Sequence, residues 1–432
     1  MVLLPAISCW GTEGLFTSNF CLILNSDLNM KRFFISQILV TGLLIAGCSS
    51  DDDSPGTTPE IPVVESATID VESGGPNQPN QVYIDLSTSE TTVVKRDTWE
   101  LGFYSGSQNR VFLNAAILVT AAELSEFTDI DEVNSSTVFE TPLALKGLNA
   151  QFQLADVSVA GVEELKAGLP LSYYMYGDLD NGIIFTDSKE GALSGTTIAE
   201  VSTTESNNKV YIVSAGSEIP AGTPDPGDIL TTGDHRGFYK IRILTDGSSY
   251  TLQYAELDAT THEEVVITKD DSYNIKAFSI VNGAEVAVEP PKEDWDINFT
   301  SVYSYYGNMG GLVAGAAYSD YALHNTLGNV GLYTVFTAET TDGETVETGA
   351  PSFDEFTRAD VKESELKYND RAVIGSDWRQ TPGFGGGTAQ VRNDRYFVVK
   401  DASGNYYKLQ FTAFMNAFGH RGYPQFKYEL LE

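Results

Sequence analysis

Trp99-Glu100-Leu101-Gly102-Phe103 recurs in the second half of the chain as Trp295-Asp296-Ile297-Asn298-Phe299. In both segments Trp, the aliphatic residue and Phe alternate, which puts them on one face of a strand and the acid and Gly or Asn on the other. A second pair follows in the same order: Tyr239-Lys240-Ile241-Arg242-Ile243 and Tyr407-Lys408-Leu409-Gln410-Phe411. Each is trailed by a further aromatic strand, Tyr250-Thr251-Leu252-Gln253-Tyr254 and then Gln425-Phe426-Lys427-Tyr428. Two matched motifs in one order indicate two similar units in tandem. The expected units are residues 81–258 and 259–432, with the boundary near residues 258–270.

The rest of the body reads the same way. Val82-Tyr83-Ile84-Asp85-Leu86, Lys209-Val210-Tyr211-Ile212-Val213 and Tyr396-Phe397-Val398-Val399-Lys400 are rich in β-branched and aromatic residues. Turn clusters at Thr245-Asp246-Gly247-Ser248-Ser249 and Ala402-Ser403-Gly404-Asn405 separate such runs as hairpins do. Thr120 to Phe127 and Ala359 to Lys367 are the windows expected to form short helices. The fold class expected is all-β, mainly antiparallel, with a few short helices.

Ahead of this body the sequence reads as processing signals. Met30-Lys31-Arg32 is a short basic region, and Phe33 to Ile45 is an apolar stretch too short to span a membrane. Small residues Ala46 and Gly47 then precede Cys48, whose thiol is the expected lipidation site of a bacterial lipoprotein. Two or more acyl chains there suffice for stable anchoring. Residues 30–47 are thus the expected signal peptide, and residues 1–29 are expected to lie upstream of the true start. Residues 48–80 read as a lipidated Cys followed by an acidic, Pro-rich tether. With Cys9 and Cys21 in the leader and Cys48 in the anchor, the body has no disulfide to make and depends on its core.

Composition narrows the partners. Lys and Arg number 26 against 60 Asp and Glu, a net charge of −34, so the surface repels nucleic acid and anionic lipid head groups. The membrane is met only through the lipid. Sequence gives no Gly-x-Ser-x-Gly elbow, no His-Glu-x-x-His helix and no Cys for nucleophilic work. Paired carboxylates abound without any one pair standing out, and an enzyme is not the expectation. Asp178-Leu179-Asp180-Asn181-Gly182 has a calcium-loop look but lacks the closing acid, and reads as a turn. The Gly383 to Gly387 stretch reads as a connector, since no Lys-Ser or Lys-Thr follows it.

The lipidation site with its acidic follow-on, the strand Tyr83-Ile84-Asp85-Leu86-Ser87, the two Trp motifs and the tail Tyr406 to Phe411 running on to Arg421-Gly422-Tyr423-Pro424 resemble the HmuY family of surface lipoproteins of Bacteroidota. The resemblance covers most of the chain from about Gln81. It implies two HmuY-like β domains, display on the outer face of the outer membrane, and capture of haem for delivery to a TonB-dependent receptor. Family members commonly carry one such domain, and their axial ligands differ, His in some and Met in others.

Haem iron needs an imidazole or thioether within apolar and aromatic walls. The four His are His235, His262, His324 and His420, and the Met beyond Cys48 are Met175, Met309 and Met415. Met309 and His324 lie among Tyr303, Tyr305, Tyr306, Tyr318 and Tyr321, with Gly307, Gly310, Gly311 and Gly315 allowing close backbone approach. Met309, His324, Tyr305, Tyr306 and Tyr321 are therefore the first candidates for haem. Met415, His420 and Arg421, in a Gly-punctuated loop, are the second; Arg421 reads first as making structural hydrogen bonds at a turn and, in the alternative, as pairing with a propionate. A surface β module without haem, contacting glycan or protein through exposed Tyr, is the alternative.

Overall fold

The structure is a computed structural model that describes residues 63–148, 153–169, 177–178, 181–230, 232–305, 315–341, 344–381 and 389–432. The leader, the signal peptide, Cys48 and most of the tether lie outside the described residues, as do residues 383–387.

The chain opens with β1 (Ser66–Asp70), β2 (Asn80–Ile84) and β3 (Thr91–Lys95). A longer run follows: β4 (Leu101–Tyr104), β5 (Val111–Leu113), β6 (Thr120–Leu124), the hairpin β7 (Val138–Leu148) and β8 (Leu154–Gly161), helix α1 (Val162–Gly168), β9 (Val210–Ser214), β10 (Phe238–Thr245) and β11 (Ser249–Glu256). The pattern then restarts with β12 (Glu263–Thr268), β13 (Ile275–Ser279) and β14 (Ala284–Val286). A second long run comprises β15 (Ile297–Tyr305), β16 (Gly315–His324), β17 (Gly331–Phe336), β18 (Ala338–Thr341), β19 (Glu344–Glu347), β20 (Arg379–Gln380), β21 (Gln390–Val391), β22 (Arg395–Lys400), β23 (Tyr406–Met415) and β24 (Arg421–Leu430). All named pairings are antiparallel. The fold is all-β, as expected.

Four sheets build two sandwiches. Sheet β12-β11-β10-β9-β6 faces sheet β14-β13-β4-β5, and sheet β1-β24-β23-β22-β17 faces sheet β16-β15-β2-β3. One core is drawn only from residues between Leu101 and Ile280; the other combines Ile69 to Leu86 with Ile297 to Tyr428. Every strand of one five-stranded sheet has a counterpart in the other, so the repeat read from the Trp and Tyr-Lys motifs is a repeat in space.

Spatial order departs from chain order, however. In a simple tandem, β2 would pair with the Trp strand that follows it. Instead β2 pairs with β15 through Ile84↔Ile297, Tyr83↔Asn298 and Val82↔Phe299. β13 in turn pairs with β4 through Phe278↔Leu101 and Ala277↔Gly102. At the edges, β1 lies on β24 and β12 on β11. The three-strand modules β1–β3 and β12–β14 have thus changed places. One sandwich is continuous in sequence and sits as an insert within the other.

Equivalent polar residues hold equivalent strands. Backbone N–H groups of Glu100 and Asp296 donate to Phe278 O (3.1 Å) and Ile84 O (2.8 Å), pinning each exchanged hairpin to a Trp strand. Asn114 Nδ2 donates to the carbonyls of Arg96 and Trp99, and Asn325 Nδ2 to those of Lys292 and Trp295. The buried ammonium groups of the Tyr-Lys strands end alike: Lys240 Nζ donates to Val133 O and Ala259 O, Lys408 Nζ to Phe353 O and Phe356 O. Both rest on main-chain oxygens, and Lys408 Nζ also meets the Glu429 carboxylate at 3.0 Å.

Two helix expectations are corrected. Thr120 to Leu124 is a strand laddered to β9, because Ala121 faces one core while Ala122 and Leu124 face another cluster. Burial on both faces overrides the helical propensity of Ala, Glu and Leu. Ala359 to Lys367 yields only two single 3₁₀ turns, Arg358–Asp360 and Glu363–Glu365.

Candidate functional site

The Tyr-rich pair β15 and β16 forms a long antiparallel hairpin, broken between Thr300 and Val302 by a bulge at which Asp320 adopts a positive φ of 49°. Tyr306 and Met309 lie outside the described residues. Tyr305 is largely buried, and its hydroxyl accepts the Phe185 N–H at 2.7 Å. Tyr321 is buried beside Tyr318 (ring centroids 5.9 Å apart) and packs with Val302 and Leu323. Burial raises the hydroxyl pKa of both Tyr305 and Tyr321, so neither is available as a phenolate at neutral pH.

His324 is 1 % exposed and ends β16 opposite Ile297. The register makes Leu113 its counterpart in the other repeat, since Leu113 pairs with Leu101 as His324 pairs with Ile297. It therefore occupies a core position. Its Nε2 bonds Lys367 O at 2.9 Å, its Nδ1 has no partner, and desolvation lowers its pKa to about 4, keeping the ring neutral. Strand alternation points Tyr321 and His324 to opposite faces, so they do not wall one ligand together.

The second candidate group is more open. Met415 pairs with Arg421 across the β23–β24 hairpin and is half-buried against the core. His420 is half-buried with its Nδ1 unpartnered, and its N–H donates to Asn416 Oδ1. Phe418, at the tip, is 80 % exposed. Arg421 does not point its charge outward. Its Nε donates to Asp320 Oδ2 at 3.1 Å, and Asp320 is fully buried. Gln78 Nε2 (2.7 Å) and the Arg379 guanidinium (3.4 Å) reach the same carboxylate, which makes Asp320 the node joining β16, β24 and the loops around Gln78 and Arg379. Sequence reading missed this residue, since an acid inside a Tyr-rich strand carries no motif.

It also missed the Asn pair, for which a signal existed. Asn114-x-x-x-x-Val119 and Asn325-x-x-x-x-Val330 match in spacing, and each Val N–H donates to the Asn carbonyl.

Between the two sandwiches lies a cavity of about 100 Å³ lined by Tyr83, Trp99, Glu289, Trp295, Asn298 and Arg371, with His324 at its margin. It is too small for a porphyrin, given that pockets for drug-sized ligands measure ~300–1,000 Å³. Two open grooves of about 480 and 450 Å³, beside Lys269 and beside Phe336, contain neither His nor Met in their walls. Haem ligands thus do not converge on a porphyrin-sized recess among the described residues. The two described side chains with an orphaned imidazole nitrogen are His324, inside, and His420, near the surface. Among the described residues no His, Cys, Asp and Glu cluster is arranged for a metal ion, and Asp178 bridges to Ile183 in a turn. No helix of the described residues is long and apolar enough to cross a membrane.

Buried carboxylates mark the junction of the repeats. Asp296 accepts the Leu86 N–H at 2.8 Å but has no cation beside it, whereas Glu100 in the equivalent position is paired with Arg236 at 2.7 Å. Desolvation, with Asp401 and Asp85 nearby, pushes Asp296 up to about 8. The folded pKa exceeds the unfolded value of roughly 3.9, so the folded state holds the extra proton between them. Stability from this group is full below about pH 4 and is lost as pH rises through about 8. Asp296→Asn, which keeps an acceptor for Leu86, is expected to melt above the native protein at pH 9 and level with it near pH 4. A native protein as stable as the variant at pH 9 would count against a buried, protonated Asp296.

The fold and its paired hairpins define a duplicated β-sandwich protein in which one sandwich is nested in the other. The chain belongs to the HmuY family: the model of the HmuY protein matches residues 77–221 and 235–428. Among solved structures, it is similar to apo PinO from Porphyromonas gingivitis, at 18 % identity over 35 % of this chain and 75 % of that one, with a TM-score of 0.14. The apo HmuY analog TFO of Tannerella forsythia matches at 15 % identity over 42 % and 90 %, with a TM-score of 0.15. No curated protein matches the chain.

Proposed function

We propose that this chain is a lipid-anchored outer-membrane protein, displayed outward, that binds haem and hands it to a TonB-dependent receptor. The observation that carries this reading is the family match across both repeats. Members of this family are binding proteins and surface lipoproteins. Lipidation of Cys48 and an acidic tether after it fit that setting. Ligation falls to Met415 and His420 at the end of the β23–β24 hairpin and to Met309, which lies outside the described residues, while the enclosed His324 supports the strand end.

Titrating residues 48–432 with haemin tests the proposal. A Soret shift is expected, weakened by His420→Ala, Met415→Ala or Met309→Ala. His324→Ala should lower the melting temperature and leave the band in place. No shift in either oxidation state overturns haem binding. The alternative, a module gripping glycan or protein without haem, is favoured by Phe418 and by Tyr423, which is 43 % exposed on the same hairpin.

A further inference from the structure

The cavity between the sandwiches has mixed walls, with aromatic rings beside Gln81, Asn274, Glu289 and Arg371. Trp99 and Trp295, equivalent residues of the two repeats, are each 8 % exposed and line it. Neither indole Nε1 has a hydrogen-bond partner, and neither do Oδ1 of Asn298 and Nδ1 of His324, which line it too. Buried polar atoms without partners are uncommon, and each costs about 1–3 kcal/mol unless something meets it. Four orphans around one cavity make a shared occupant the economical explanation.

Their chemistry limits what that occupant is. Two N–H donors, one carbonyl acceptor and the His324 Nδ1, an acceptor because Nε2 donates to Lys367 O, call for a molecule that both accepts and donates, which is the property of a hydroxyl. Charge is already balanced: Arg371 lines the cavity with Asp187 and Glu190 as its acidic neighbours, and burial pushes Glu289, also in the wall, up to about 7, so a charged guest would add a charge with no counter-ion left to meet it. Size excludes sugars. A void of about 100 Å³ is smaller than the ~150 Å³ cavity that takes up benzene. Aromatic walls from Tyr83, Trp99, Phe112 and Trp295 suit the C–H face of such a guest.

We infer that this cavity is a binding site for one small, uncharged, hydroxyl-bearing molecule of a few heavy atoms, clasped between the indole N–H groups of Trp99 and Trp295 and the Asn298 amide. It lies where the chain crosses from β3 to β4 and from β14 to β15, so its occupant bridges the two sandwiches.

The test uses residues 48–432, whose third Trp, Trp378, donates its Nε1–H to Asp320 O at 3.1 Å, away from the cavity. Ethylene glycol and glycerol are the probes, followed by the indole N–H resonances. Saturable shifts of Trp99 and Trp295 with a common midpoint are expected, with Trp378 unmoved. Sucrose at equal osmolality should move none of them. Trp295→Phe, which keeps the ring and removes one donor, should weaken binding at least tenfold. Crystals grown with glycerol should show it in the cavity. Linear shifts, shifts shared by Trp378 or by sucrose, unchanged affinity of the Phe variant, or density accounted for by water alone each overturn the assignment.

Discussion

A polypeptide running from Arg96 to Glu289 is expected to fold alone and melt in one cooperative step, whereas residues 81–258, cut at the boundary suggested by the motifs, should not. The first contains every strand of the nested sandwich, from β4 to β14, and its whole core. It also keeps the Arg96 carbonyl that Asn114 holds. The second loses Ile267, Phe278 and Ile280, all at most 2 % exposed, and strands β2 without β15. Emptying such core positions costs about 2–5 kcal/mol apiece, and a domain has only ~5–15 kcal/mol in total. Circular dichroism melts and amide chemical-shift dispersion read the outcome. If both fragments fold, or neither does, the exchange of hairpins is not what organises this protein.

Replacing Asp320 by Ala should be the most damaging single substitution in the larger sandwich. Its carboxylate is fully buried against Arg421, Arg379 and Gln78. Removing one partner of a buried ion pair leaves uncompensated charge and costs about 3–5 kcal/mol. Two guanidinium groups would be stranded here. The expected drop in melting temperature is on the order of 10 °C. Asp320→Asn keeps an oxygen for Gln78 and tolerates the positive φ, so it separates charge from geometry. Because Arg421 roots the β23–β24 hairpin, loss of Asp320 should also loosen the tip that carries Met415, Phe418 and His420. A drop under about 1 kcal/mol for the Ala variant would show that Asp320 is not the node.

The sheet architecture was legible because alternation is local. Leu101 and Phe103, like Ile297 and Phe299, face their cores as their spacing demands. Tyr-Lys strands were recognisable as a pair, although nothing in them told that Lys240 and Lys408 would be buried on carbonyls. Which hairpin joins which Trp strand was illegible for a physical reason. β2 and β13 meet their partners in the same register, Ile84 on Ile297 as Phe278 on Leu101, so the strand pattern alone does not say which partner each takes. The site was harder still. His324 looked like a ligand because of its Tyr neighbours, but its role follows from a cross-strand partner, Ile297, that only register reveals. Arg421 read as a structural hydrogen-bonding residue, but its partner Asp320 was out of view because it lies a hundred residues away in sequence and not in the same turn.

The exchanged modules also set a timetable. Synthesis delivers β1–β3 before the rest of the body, yet β2 must wait for β15, and Ser66 of β1 finds its neighbour only at Glu429. The nested sandwich closes meanwhile from contiguous chain. The first strands of the body to be made are thus among the last to be covered, a high contact order that slows completion and leaves Val82 and Ile84 without cover in the interval. The outer strand of that waiting hairpin, Thr91–Lys95, is almost wholly solvent-facing and ends in Lys, which discourages addition of a stray strand there. A chaperone that recognises extended apolar segments would find its longest opportunity at the amino-terminal hairpin.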